Sequence, residues 1–161
     1  STEFIYDHDK KIVSKSLNLG VVSLSELFFN ELPPSEVTLL LAKEYIESNL
    51  FESNIFEKRM LVGVAGTFTS LASIFLEHSQ YDEKEIHLTE LKNEDVFKIN
   101  EDLLGLNESQ IITKYKRLDP KRAKTIQAGI LIAKEIISKY NVNSIKVSNS
   151  DILEGLILKK Y

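Results

Sequence analysis

The stretch Gly63-Val64-Ala65-Gly66-Thr67 is where this sequence concentrates chemistry. An apolar run of Met60, Leu61, Val62 and Val64 leads into it, and Phe68, Leu71, Phe75 and Leu76 follow at helical spacing. The pattern predicts a buried strand, a tight glycine turn and a helix. Such a turn aims unpaired backbone N–H groups and the positive end of a helix at one point, which suits a phosphate. Gly63 and Gly66 carry no Cβ, so the backbone there can turn tightly and approach a ligand closely. Glycines also serve this pattern through packing alone, so the rest of the chain must decide.

Other reactive side chains offer less. His8, His78 and His87 share no metal-ligand spacing and read as surface residues. Asp82-Glu83-Lys84-Glu85 is a solvated charge run, with Glu83 and Glu85 no acid/base pair. Ser70 and Ser73 fall on the helix after the glycine turn without triad partners, as packing or surface positions. The chain has 161 residues, 43% apolar and 27% charged, enough for one globular domain with a core. It has no apolar run long enough to span a membrane and no basic-then-apolar leader. The absence of cysteine excludes disulfides and thiolate metal sites and is compatible with the cytoplasm. A net charge of −4 argues against a nucleic-acid partner, but local N–H groups and a few cations can still hold a phosphorylated ligand.

The elements that must position the turn are legible in order. Thr2 to Tyr6 and Lys11 to Leu19 read as a hairpin around the polar Asp7-His8-Asp9-Lys10. Ser23 and Glu26 form a capping-box pattern for a short helix through Phe29, with Phe28 and Phe29 as core. After Pro33-Pro34, Ser35 opens a helix to Ser48 with Val37, Leu40, Leu41 and Ile46 facing inward. Beyond the central unit lie a polar loop from His78 to Glu85 and a short strand at His87 to Leu91. Helices follow at Asn93 to Leu104 and Asn107 to Tyr115, the second opened by Asn107 with Gln110. Asp119-Pro120 starts a long helix to Tyr140 whose buried stripe is Ala123, Ile126, Ile130, Ala133, Ile137 and Tyr140. An exposed remnant of that stripe would suit a homodimer contact. A strand at Ile145 to Ser148 and a last helix capped by Asp151 close the chain. Strands alternating with helices predict an α/β fold with a mixed or parallel sheet flanked by helices.

Taken together, these motifs resemble a known family. Ser1-Thr2-Glu3 resembles the tail of a Gly-Gly-Gly-Ser-Thr-Glu phosphate loop. Ser16 to Glu26 is similar to the Ser-Leu-x-x-Gly-x-x-Arg-Leu-Thr-Glu element that follows it. Gly63 to Ala72 resembles Gly-x-Gly-Gly-Thr-x-Thr-x-Leu-Ala. Asp119-Pro120-Lys121-Arg122-Ala123 with Gly129, then Ser148 with Glu154-Gly155, complete the set. The family is Ppx/GppA, the exopolyphosphatases and guanosine pentaphosphate phosphohydrolases.

That resemblance implies a ribonuclease H-like lobe of the actin-like, sugar-kinase-like ATPase (ASKHA) superfamily. Residues 1–161 would be a single domain, the second of two lobes, with the first lobe absent from this sequence. The implied reaction is hydrolysis of a terminal phosphoanhydride in polyphosphate or guanosine pentaphosphate, with Mg²⁺ neutralising charge. Thr2, Gly63, Gly66, Thr67 and Arg122 would bind phosphate, Arg122 having an exposed first-turn position as its other reading. Glu3 would hold Mg²⁺ or position water, while the general base is a Glu of the first lobe, leaving this chain inactive alone. Ser23 and Leu153 stand where the family has arginines, and Lys124 stands where it has Asp. Those losses motivate an alternative, a non-catalytic phosphate- or nucleotide-binding regulator on the same fold. A third reading is the nucleotide-binding lobe of a sugar-kinase or chaperone relative.

Overall fold

A computed structural model describes residues 1–76 and 83–160. Thr2–His8 (β1) and Lys11–Leu17 (β2) pair antiparallel, with Thr2 opposite Leu17 and His8 opposite Lys11. Asp9 and Lys10 have φ of 53° and 62°, as a two-residue hairpin loop of the primed type requires. Val21–Phe28 (α1), Glu36–Asn49 (α2), Met60–Val64 (β3) and Gly66–Leu76 (α3) follow. Then come Glu83–Ile86 (α4), Glu90–Lys92 (β4), Asn93–Leu104 (α5) and Glu108–Lys114 (α6). A 3₁₀ turn at Pro120–Arg122 leads to Ile126–Tyr140 (α7), Ser144–Ser148 (β5) and Ile152–Lys160 (α8).

The second sheet is mixed, in the order β3-β5-β4, with β3 parallel and β4 antiparallel to β5. Its register puts Val64 beside Ser148. The carboxyl ends of the parallel pair therefore lie together, and the β3–α3 turn opens there, where α/β sheets usually take ligands.

Helix α7 is the axis of the core. The predicted stripe from Ala123 to Tyr140 is buried throughout. Burial extends to Gln127, Ala128, Gly129, Leu131, Ile132, Glu135 and Ile136, because α1, α2, α3 and α5 all pack on this helix. Ile130, Leu131 and Ile137 are at most 1% exposed, and each such burial is worth about 1.5–3 kcal/mol. No part of the stripe is exposed among the described residues, which removes the basis for a dimer contact through it. At the end of α7, Tyr140 meets Phe4, Phe51 and Phe56 at centroid distances of 5.7, 5.7 and 5.1 Å. This cluster ties the hairpin to the core. The Tyr140 hydroxyl donates to the Phe51 carbonyl at 2.8 Å, and burial, more than its neighbours' charge, pushes its pKa up to about 12.

The structure also corrects several local readings. The Ser23–Glu26 capping box does not form. Gly20 is the N-cap of α1, and the Ser23 hydroxyl donates to the Gly20 carbonyl at 3.1 Å. Fully buried Leu24 draws the helix start back to Val21, with its N–H on the Gly20 carbonyl at 3.0 Å. On α2, Val37, Leu40 and Leu41 are half or more exposed. Ile46 is buried as predicted, but the helix seats with it through Leu39 and Ala42, a row one step round. Asp119 accepts from the Lys121 N–H as predicted, at 3.0 Å, but Pro120 opens only a 3₁₀ turn and α7 begins separately at Ile126. The short strand is Glu90–Lys92, because His87 and Leu88 form a turn in which Leu88 has φ 67°. Within the predicted polar loop, residues 78–82 with His78 lie outside the described residues, and Glu83–Ile86 is helical.

Two apolar surfaces stay open. Met60, Val62 and Val64 on one face of β3 are exposed, and β3 pairs only with β5 among the described residues. Leu156, Ile157 and Leu158 on α8 are exposed as well.

Candidate functional site

The strand, turn and helix form where predicted, but the strand is not the buried one expected: Met60, Val62 and Val64 are exposed and only Gly63 is buried, because β3 lies at the edge of its sheet among the described residues. Ala65 has φ 69°, a left-handed conformation costing a non-glycine residue about 1–2 kcal/mol. Backbone strain of this kind gathers at ligand-binding loops. Next to it, a Cβ on Gly66 would run into both Arg122 Nη atoms. The Arg122 guanidinium therefore lies directly over the first residue of α3. A cation at the positive end of a helix is unfavourable by itself. An anion placed against both would satisfy both charges.

Gly63 has a different job. It is buried in β3, and a Cβ there would lie 2.5 Å from the Phe68 ring and 3.0 Å from Ile145 Cγ2. Its bareness lets Phe68 fold back onto the strand. Thr67, in the first turn of α3, sits against Gly129 of α7, where an added Cβ would stand 2.9 Å from Thr67 Oγ1 and 3.2 Å from Val21 Cγ1. Val21 opens α1. The first turns of α1, α3 and α7 thus meet.

These helix starts share an electrostatic feature. None has an acidic residue in its first turn, and neither Gly20 nor Thr125 caps α1 or α7 with a side chain. The N–H groups at the starts of α1 and α3 are open to an external acceptor, whereas Ile126, Gln127 and Ala128 at the start of α7 are buried.

The N-terminal candidates lie nearby or turn away. The Thr2 hydroxyl donates to the Leu19 carbonyl at 2.6 Å, which engages its single proton. A Cβ on Gly20 would fall 2.7 Å from the Ser1 nitrogen, so the start of β1 is joined to the start of α1. Glu3 points to the exposed side of the hairpin, where its carboxylate accepts from the Ser16 hydroxyl at 3.2 Å. The structure thus brings Gly66, Thr67 and Arg122 together, links Thr2 to them through Leu19 to Val21, and leaves Gly63 beneath. Among the described residues no three His, Cys, Asp or Glu side chains group as a metal cage. Mg²⁺ typically needs only one or two carboxylates and completes its shell with water and phosphate oxygens, so the single carboxylate of Glu3 remains a chemically suitable ligand.

The remaining residues resolve plainly. His8 and His87 are exposed. Ser70 and Ser73 are buried packing residues. Glu85 pairs with the largely buried Arg117 at 3.7 Å. Ser23 offers no cation at the start of α1, and the side chain of Leu153 lies outside those described. A groove of about 800 Å³ runs along α1 toward α6, lined among others by Val22, Glu26, Asn30, Glu108, Ile112 and Lys124. Gly66 does not line it, but Lys124 and Thr125 continue into it from Arg122.

Comparison with known proteins bears on all of this. A family model described as the Ppx/GppA phosphatase family matches residues 1–161. A protein of Fusobacterium nucleatum named bifunctional 3-dehydroquinate synthase/phosphatase is 38% identical over 99% of this chain and 24% of its own length. Exopolyphosphatase 2 of Mycobacterium tuberculosis is 29% identical over 98% of this chain and 52% of its own. The crystal structure of the Aquifex aeolicus Ppx/GppA phosphatase superposes with a TM-score of 0.87 at 26% identity, covering 98% of this chain and 52% of that one. The chain therefore spans about half or less of the proteins it matches. Its layered α/β fold is that of the ribonuclease H-like lobes of the ASKHA superfamily. No helix among the described residues is long and apolar enough to cross a membrane.

Proposed function

We propose that this chain, which belongs to the Ppx/GppA phosphatase family, is the second lobe of a cytoplasmic phosphohydrolase that cleaves terminal phosphoanhydride bonds. The observation that carries the reading is the Arg122 guanidinium over Gly66 at the start of α3. An anion there is held by backbone N–H groups and a planar cation together. In phosphoryl transfer such holding is most of what a protein must do, since catalysis rests on positioning and on charge neutralisation.

The roles divide accordingly. Gly66 and Thr67 present N–H groups to the phosphate and Arg122 neutralises it, while the Thr2 hydroxyl, whose proton goes to the Leu19 carbonyl, supplies no donor to it. Glu3 faces away from Gly66 and Arg122, onto Ser16, so holding Mg²⁺ at the phosphate would require its side chain to leave that contact; the bound ion would supply charge neutralisation across the phosphate oxygens. The general base belongs to the other lobe, so the isolated chain binds but does not turn over.

Polyphosphate and guanosine pentaphosphate both present the required bond. The groove beside Arg122 favours the second. Glu26 and Glu108 in its lining repel a continuing polyanion, whereas their carboxylates accept N–H groups of a base.

Titration calorimetry with inorganic tripolyphosphate, paired with a phosphate-release assay on polyphosphate and Mg²⁺, tests this reading. Binding without release is expected. Turnover matching a full-length family member would overturn the lobe assignment, and absence of binding would overturn the anion site.

A further inference from the structure

We propose that Gly129 is a positioning residue for the anion site, setting how closely α7 holds the starts of α1 and α3. This rests on the anion-site reading above. Glycine is disfavoured in the interior of a helix, yet Gly129 sits within the fifteen-residue α7. Neighbouring Ala128 and Ala133 are buried on the same helix, so the core around α7 tolerates a methyl elsewhere.

At Gly129 it does not. A Cβ would stand 2.9 Å from Thr67 Oγ1, 3.0 Å from Thr67 Cγ2 and 3.2 Å from Val21 Cγ1. Those atoms belong to two other helices, each in its first turn. Both residues are β-branched and stiff at χ1, and the core has no slack. Relief comes from moving backbone, which spreads the N–H groups of α1 and α3 apart.

Arg122 is coupled to the same point. The Gly129 N–H donates to the Thr125 carbonyl at 3.0 Å, and the Thr125 N–H donates to the Arg122 carbonyl at 2.9 Å. A shift of α7 therefore carries the guanidinium with it. Gly129 touches none of the phosphate, but the separation of its holders depends on it.

The test is tripolyphosphate titration of the 161-residue chain carrying Gly129→Ala, beside thermal unfolding. A loss of affinity of about tenfold is expected, with the melting temperature little changed, because helix propensity offsets crowding. Adding Thr67→Ser removes Cγ2 and frees χ1 while keeping the hydroxyl. The double variant should return to within about threefold of Thr67→Ser alone. Unchanged affinity in Gly129→Ala overturns the proposal, as does a loss that Thr67→Ser fails to restore. If Gly129→Ala does not fold, the double variant decides: affinity near that of Thr67→Ser supports the proposal, and a tenfold deficit overturns it. Failure of the unaltered chain to bind tripolyphosphate overturns the anion site itself, and this proposal with it.

Discussion

Helices α2, α5 and α6 begin as helices in most soluble proteins do, while α1, α3 and α7 begin bare. Ser35 caps α2 by accepting from the Thr38 N–H at 3.1 Å, with Glu36 in the first turn. Asp95 accepts from the Lys92 N–H at 2.9 Å at the start of α5. Asn107 and Gln110 exchange hydrogen bonds at α6, at 3.0 and 2.9 Å. Each device neutralises a positive helix end within the chain. At the starts that meet around Val21, Thr67 and Gly129 these devices are withheld, and Arg122 adds positive charge. The difference teaches that this chain gives up local stability at one end of its core and keeps it elsewhere, as the proposed anion site would require.

Breaking the comparison at its strongest point means removing the cation. Arg122→Ala should weaken tripolyphosphate binding by tenfold or more, since a hydrogen bond to a charged group is worth about 1.5–3 kcal/mol. Its thermal stability should be unchanged or raised, because the like-charge conflict at α3 is relieved. Calorimetry and a melt measure both, and equal binding would show that the bare ends alone suffice. Removing a cap on the other side has the opposite signature. Ser35→Ala should cost about 1 kcal/mol in a denaturant titration and leave anion affinity alone.

Smaller changes sharpen the contrast. Ser23→Glu gives α1 the first-turn acid it lacks, which should stabilise the fold by about 0.3–1 kcal/mol and weaken tripolyphosphate binding several-fold. Ser23→Arg should strengthen that binding. If both variants bind alike, the start of α1 is no part of the site. In the turn itself, Ala65→Gly relieves a left-handed alanine at about 1–2 kcal/mol but loosens the unfolded chain by about 0.4–1 kcal/mol. A net gain of roughly 0.5–1 kcal/mol in a melt is expected.

What could be read beforehand was whatever a few neighbouring residues decide. The hairpin, the Ser35 cap, the Asn107–Gln110 exchange and the stripe on α7 are local patterns with one dominant solution. On α2, the run Val37 to Ile46 offers several overlapping apolar rows, and only its seat on α1 and α7 selects Leu39, Ala42 and Ile46. The glycine turn was legible as the link between a strand and a helix, but its division of labour was not. Gly63 meets Phe68 close by, whereas Gly66 meets Arg122 and Gly129 meets Thr67 across more than fifty residues. Spacing carries no signal for such contacts. Nor do residue types announce that Ala65 will be left-handed, a conformation imposed where β3 hands over to α3.

The open margin of β3 has a practical meaning. Its backbone offers a row of donors and acceptors to solvent, with Met60, Val62 and Val64 beside it. To any extended chain this is half of a zipper. Pairing along this margin would make the time the molecule stays dispersed in a test tube fall with its concentration, whatever the strength of its core.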